Sequence, residues 1–575
     1  MHRIDGVRWK GMQMISWKIK ENAGMISIKK VLCSKYFVFI ICMTTLVFGT
    51  LYYYGLQMAF NSDAEDLATI WQYYKALEFG MPIGDRDFIY VILSVISTSI
   101  GGMSFLSQRL FFTLLQSVVL VCTMLLSFRR SKRQDICLFL LPIFILFMIL
   151  LHPTTQEDPY GLIVDYGTDF FYQYPYNYHS TVRIYTLLCL IVLSIFLYTA
   201  SMKKKFLSAI SLTALILYTI YLRDTIFFVI FLMPFFLTLF LKMLHDQKTR
   251  KYAILFICLV MGFALMVKVI PSSLKNTLWI TERASTYGTI YGGTNWTTPD
   301  QLWVTLSNYV SKILGCFNIL LPSSPLISLY TLIDFMKLIL LIVGYMIVFV
   351  IAKGSIVGMH KWKTVDIVDE ILAWSFIALS AAHIFTEYGH NVIYSQRYMQ
   401  AVVSIMTILL CRHIISFLGM IHWDFTNIRF GEKIGISFLL FAFCLCYVKP
   451  VWTYTPLNRC HEADMDAALG YIKGTDFGYA IAPFDLAYVM SAESNGEILV
   501  CRSIEEAQSL WGEDAKITYM ITRYDYEPGK YHQYMYYEPF TSYDELCSRY
   551  SPPTNIIEYE TFSLCVWEDG IKIPE

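Results

Sequence analysis

Three carboxylates, Asp63, Glu65 and Asp66, stand close together in the stretch NSDAEDLATIWQYYKALEFG, directly after a run of more than twenty mostly apolar residues. Ser62 followed by Glu65 has capping-box spacing, and acids in a first helical turn gain about 0.3 to 1 kcal/mol from the helix dipole. Gly80 and Pro82 then supply the stop signal. On a 3.6-residue period Asp63 aligns with Leu67, Ile70, Tyr74 and Leu77, the apolar stripe; Asp66 lies beside it with Ile70 and Tyr73. Glu65 falls with Gln72 and Lys75 on the wetter side and reads as the capping, solvated acid. A carboxylate turned inward at the mouth of a helix bundle is costly unless it meets a metal, a proton donor or a substrate. Asp63 and Asp66 are therefore candidate site residues.

The elements that must position them follow from composition. Hydrophobic residues fill 56% of 575 positions and mean hydropathy is +0.49, with apolar runs recurring at lengths that cross roughly 30 Å of hydrocarbon. The chain reads as a polytopic α-helical membrane protein. Spans are expected at 36–59, 105–127, 136–151, 184–200, 206–221, 225–242, 252–270, 328–351, 370–386, 398–417 and 433–448, about eleven transmembrane helices. Lys+Arg and Asp+Glu balance at 45 each, so no global basic field suggests nucleic acid. Position is what matters. Residues 1–35 are rich in Lys and Arg, hold only Asp5 and Glu21 as acids, and lack a signal-peptide cleavage site. The positive-inside rule puts this segment in the cytoplasm. From that start RRSKR at 129–133, KKK at 203–205, Lys248, Arg250 and Lys251, and Lys353, Lys361 and Lys363 all fall inside. Segment 88–103, with its Gly101-Gly102 pair, is read as interfacial or re-entrant, because a further span would turn RRSKR outward. The domain 36–449 then presents outer loops 60–104, 152–183 and 271–327, and a short one at 387–398.

From about 450 to 575 the spanning pattern ends. Helical stretches (HEADMDAALGYIK, SIEEAQSLW) alternate with strand-like runs (EILVC, KITYMIT, FSLCVW), the pattern of a small extracytoplasmic α/β domain. Of 14 cysteines, Cys460, Cys501, Cys547 and Cys565 lie in this tail; there is no CxxC and no metal-ligand spacing, so at most a lone tail disulfide is expected.

With the elements in place, NSDAED resembles the acidic motif that follows the first transmembrane helix in the GT-C superfamily of integral membrane glycosyltransferases. The matching residues are Asp63, Glu65 and Asp66, and the likeness runs on through YYKALEFGMPIGDRD, where Asp85 and Asp87 follow the helix end. As a motif it covers about 27 residues; as a GT-C-like architecture with outward catalytic loops and an outer C-terminal domain it covers nearly the whole chain. The resemblance implies an enzyme of a bacterial cytoplasmic membrane, a hexosyl- or pentosyltransferase of cell-surface polysaccharide synthesis or decoration. It would move a sugar from a polyprenyl-phosphate donor, usually with inversion, to an extracytoplasmic acceptor glycan, lipid or protein. One carboxylate, Asp63 or Asp66, would help remove the proton of the attacking hydroxyl, and positive charge would stabilise the departing phosphate. Arg397 and Tyr398 in SQRYMQ look like the Arg-Tyr pair that precedes a late helix in many members. They are assigned to the donor phosphate, with His390 in the same loop, Arg183 and His179 ending loop 152–183, and Arg223 at a hairpin tip as further candidates. The plain alternative for each cation is snorkelling to lipid headgroups. Tyr166, Tyr172, Tyr174, Tyr176 and Tyr178 could stack on sugar rings or simply anchor helices at the headgroup level. The one cofactor the resemblance admits is a divalent cation, Mg or Mn, with Asp63 and Asp87 as its ligands; no nucleotide cofactor is expected. Partners would be the polyprenyl-phosphate-linked sugar, the acceptor glycan and membrane lipids.

Phosphate-loop, GxGxxG, HExxH and GxSxG patterns are absent, which removes support for direct nucleotide, zinc-protease and serine-hydrolase chemistry. The alternative from another class is a multi-pass transporter or flippase of lipid-linked saccharides. It would favour interrupted helices in repeated halves and ionisable residues at mid-membrane depth, whereas most charges here sit at expected span ends. A sensor or structural membrane protein has only the soluble tail in its favour. Polysaccharide ligases and polymerases would place their main loop late.

Overall fold

The computed structural model describes residues 118–127 in part, 178–221, 225–245, 296–319 with few gaps, 329–357, 366–386, 399–420 and, with gaps, 456–571. These residues are mostly helical. A helical bundle is formed by α1 (Tyr178–Tyr198), α2 (Met202–Tyr221), the interrupted α3 described below, α4 (Leu302–Cys316), α5 (Leu329–Val357), α6 (Ile367–Phe385) and α7 (Gln400–Met420). Helical residues between 118 and 127 join the same apolar core through Val119, Cys122 and Leu126. The expected spans at 105–127, 184–200, 206–221, 225–242, 328–351, 370–386 and 398–417 each meet one of these helices. Those at 36–59, 136–151, 252–270 and 433–448 lie outside the described residues, save Ile257. Among the described residues two helices are long and apolar enough to cross a membrane: Asp334–Val357 within α5, and α6.

Boundaries differ from the sequence reading where polar residues were assigned to loops. α1 begins at Tyr178, so His179 and Arg183 are helical and do not end a loop; α2 begins at Met202, so Lys203, Lys204 and Lys205 form its first turn. α4 lies wholly inside the segment taken as outer loop 271–327. Charged and hydroxyl residues lower a window's hydropathy without preventing helix formation, since the straight-chain ones are good helix formers.

α3 is composite: α-helical over Thr225–Phe227, a π-helical turn over Phe228–Leu232, and α-helical again over Met233–His245. Pro234 explains the interruption. It has no N–H for the carbonyl of Ile230, four residues back, and its ring crowds that carbonyl. The wider turn makes room, and the orphaned oxygen is met from α6, where Ser375 Oγ donates to Ile230 O at 2.5 Å while lying 2.7 Å from the Ile371 carbonyl of its own helix. Phe227, Phe231 and Phe235 follow one another along the buried side of α3, the last two stacked.

α6 is the central strut and packs on α1, α3, α4, α5 and α7. It starts at an N-cap, with the Asp366 side chain accepting from Val368 N at 3.1 Å. α5 meets α7 closely because Gly344 offers no side chain: a Cβ there would come within 2.8 Å of the Met406 Sδ. Across α5 the usual polarity is inverted. Asp334 and Lys337 are buried, while Phe335, Ile339, Ile342, Met346 and Phe349 are exposed.

The tail folds as expected into an α/β unit. α8 (Pro456–Lys473) precedes a five-stranded sheet of order β2-β1-β3-β5-β4, with β1 (Tyr479–Ile481), β2 (Leu499–Cys501), β3 (Tyr519–Thr522), β4 (Asn555–Glu558) and β5 (Ser563–Val566); α9 (Tyr543–Arg549) precedes β4. β2 and β3 flank β1 in parallel, and β5 pairs antiparallel with β3 and β4. Alternation along the strands feeds two faces: Ala480, Val500 and Tyr519 pack toward Met465 and Ile472 of α8, while Met520 and Cys565 pack toward Leu546 of α9. β2, β3 and β5 are the runs read from sequence; β1 and β4 are additional.

Candidate functional site

The polar residues of α4 lie on its inner face. Thr305, Tyr309, Lys312 and Cys316 follow helical spacing and are all buried. On the other side Trp303, Leu306 and Val310 are exposed, Trp303 to 76%. Two contacts fix where the helix enters: Trp296 bridges Thr386, with Thr297 N donating to Phe385 O at 2.9 Å, and Thr305 Oγ1 donates to Ile384 O at 2.8 Å. The hydroxyl thereby satisfies one of the last carbonyls of α6. Farther along, Tyr309 Oη lies 2.8 Å from both Tyr345 Oη of α5 and Ser380 Oγ of α6. α4 therefore lies across the end of the bundle that holds the end of α6, packing on α6 and α7 and reaching α5 through Tyr309. Beyond its C-terminus, Lys337 Nζ of α5 donates to Phe317 O at 3.1 Å. Lys312 and His383 are both buried and close enough to act on each other electrostatically. Hydroxyls, amines and an imidazole thus gather around α4 in a low-dielectric region, where charge interactions are strong.

The opposite end of the bundle is closed by a buried ionic cluster. Arg412 of α7 donates through Nε to Asp369 at 2.5 Å, through Nη1 to Leu126 O at 2.8 Å, and through Nη2 to Asp366. His413 Nε2 lies 3.3 Å from the second oxygen of Asp369. Lys242, near the end of α3, pairs with Glu370 at 2.6 Å, and Ser355 near the end of α5 donates to the same carboxylate at 3.3 Å. These contacts tie the C-terminal ends of α3, α5 and α7 to the N-terminal end of α6. It follows that the starts of α3, α5 and α7 share the other end of the bundle with the end of α6 and with the entry of α4. Tyr198, last residue of α1, interacts with Asp366, so the start of α1 belongs at that other end too.

Two of the expected donor-binding residues lie in α1. Arg183 is buried in the first half of α1, and His179 is in its first turn. Arg223 lies just before α3, and His390, Arg397 and Tyr398 lie between the end of α6 and the start of α7; these four are outside the described residues. So are Asp63, Glu65, Asp66, Asp85 and Asp87. Among the described residues no group of three or more His, Cys, Asp or Glu could hold a metal ion. The expected pair for a divalent cation, Asp63 and Asp87, is outside that set.

No protein-family model matches the chain, and no curated protein matches it.

Sequence reasoning did not single out Lys312, Asp334, Lys337, His383 or Arg412. The signal was available: an ionisable residue inside an apolar window turns inward and takes a partner. Asp334, Lys337, His383 and Arg412 all sit within expected spans. Lys312 was hidden because α4 was counted as loop.

Proposed function

We propose that this chain is an integral membrane glycosyltransferase of the GT-C kind, moving a sugar from a polyprenyl-phosphate donor to an extracytoplasmic glycan, lipid or protein acceptor in cell-surface polysaccharide synthesis or decoration. A polytopic helical domain of about eleven spans, with N-terminus inside and the α/β tail outside, is part of the same reading. Supporting the membrane setting is the inverted polarity of α4 and α5, charge and hydroxyl inward and large apolar side chains outward, which suits hydrocarbon and is unfavourable in water.

One observation carries the enzymatic reading. The helix ends next to Arg183, Arg223, His390 and the Arg397-Tyr398 pair belong to one end of the bundle, the end across which α4 lies. Cations delivered there from α1, α3 and α7 can converge on a donor phosphate, and the helix expected after the first span would bring Asp63 to the same mouth. In this scheme Asp63, with Asp66 beside it, accepts the proton of the acceptor hydroxyl. The oxygen attacks the anomeric carbon opposite the phosphate, and the C–O bond to phosphate breaks with inversion. Arg397 holds the phosphate that leaves. Any divalent cation would sit at Asp63 and Asp87, where it would neutralise phosphate charge.

A transporter or flippase of lipid-linked saccharides is the second reading, and a specific observation favours it. Lys312, Lys337, Asp334 and His383 are buried inside the bundle, and α3 is interrupted by a π turn; such features accompany transport sites. Proteoliposomes carrying purified protein and labelled polyprenyl-phosphate sugar separate the two. Loss of the donor with the label recovered on an acceptor is the result expected here. Movement of intact donor between leaflets with no transfer would replace the enzyme by the flippase.

A further inference from the structure

At the turn from α1 to α2, three lysines sit beside an exposed apolar surface. Lys203 and Lys204 are exposed and Lys205 partly so, and no acid occupies the first turn of α2. No described residue pairs with any of the three amines. Local helix energetics does not account for them, because cations in a first turn oppose the helix dipole. Packing does not account for their apolar neighbours: Met202 is 76% exposed, Phe206 70% and Leu207 64%, with Phe196 and Tyr198 of α1 also exposed across the turn. α2 is held to α1 by its other side, through Ser208, Leu212 and Ile216.

We infer that this turn is a binding surface for an acidic phospholipid. The lysines meet the headgroup phosphate, and Met202, Phe206 and Leu207 lie along the acyl chains. Charge complementarity selects this occupant: three unpaired cations interleaved with large apolar side chains match an anionic head joined to hydrocarbon, whereas a second copy of the chain would oppose lysines to lysines. The surface lies at the end of the bundle closed by the Arg412 cluster, since Tyr198 interacts with Asp366 there. That is the end expected to face the cytoplasm. The inference rests on the membrane setting proposed above and is independent of the glycosyl-transfer chemistry.

The test uses the full-length protein in mild detergent, with bound lipid counted by native mass spectrometry after addition of phosphatidylglycerol or phosphatidylcholine. Wild type is expected to retain phosphatidylglycerol preferentially. The triple variant Lys203→Gln, Lys204→Gln, Lys205→Gln should lose that preference by about tenfold or more, lysines near an anionic surface each contributing substantially. Phe206→Ser with Leu207→Ser should weaken retention of the intact lipid. A control triple on the same expected side, Lys248→Gln, Arg250→Gln and Lys251→Gln, should leave the preference in place. An equal loss in both triples, or an unchanged preference in the first, would overturn the assignment. Release of the wild-type protein from membranes by alkaline carbonate would overturn the membrane setting itself, an outcome distinguishable from failure of the lipid surface alone.

Discussion

At the scale of single residues, Arg412 and Cys565 show how burial gives a side chain measurable consequences. The Arg412 guanidinium is satisfied by Asp366, Asp369 and the Leu126 carbonyl, all in the interior. Replacing Arg412 by Leu leaves two buried carboxylates uncompensated, a change that costs about 3–5 kcal/mol in comparable sites. A drop in thermal stability is therefore expected, with partial recovery when Asp369→Asn is added; a variant as stable as wild type would show that the cluster is dispensable. In the tail, burial among Met520, Leu546 and Trp567 pushes the Cys565 thiol from 9.0 up to about 12. Below pH 9 the folded and unfolded thiols are both protonated and stability is unaffected. As pH rises from 9 toward 12 the unfolded chain releases a proton that the folded chain keeps, so the tail sheet loses stability in that window. Hydrogen exchange of the β5 amides across this range should accelerate in wild type and less so in Cys565→Val.

Among elements, the break in α3 is the feature most directly written in the chain. Pro234 inside an apolar run removes one helical hydrogen bond wherever it stands; the identity of the rescuing donor, Ser375, is a tertiary fact that no local pattern contains. Ser375→Ala would leave the Ile230 carbonyl unsatisfied in the core and should lower stability by about 1–3 kcal/mol. The double change with Pro234→Ala, which restores the N–H, should recover most of that loss in the same thermal assay; no recovery would detach Ser375 from the π turn. The same division runs through the other elements. Helix positions were legible because long apolar runs dominate them, as were β2, β3 and β5 from short apolar, strand-like runs. α4 was not, since its inner face of Thr305, Tyr309 and Lys312 made a helix resemble a wet loop. The buried cluster of Arg412 with Asp366 and Asp369 joins residues more than forty positions apart, and only packing reveals that they meet.

For the whole molecule, the proposed topology puts the α/β tail on the outer side of the membrane. Cys547 on α9 is partly exposed. In a variant keeping it as the sole cysteine, a membrane-impermeant maleimide applied to intact cells should label it; labelling only after the membrane is opened would put the tail inside. The central claim, that the acids opening this sequence do glycosyl transfer, is tested most directly by donor turnover. Purified protein in nanodiscs with a panel of polyprenyl-phosphate sugars should consume a donor, and Asp63→Asn, matched for folding by thermal stability, should lose roughly 10²–10⁴-fold of that turnover, the range for removal of a general base. Full turnover in a well-folded Asp63→Asn protein would contradict the account.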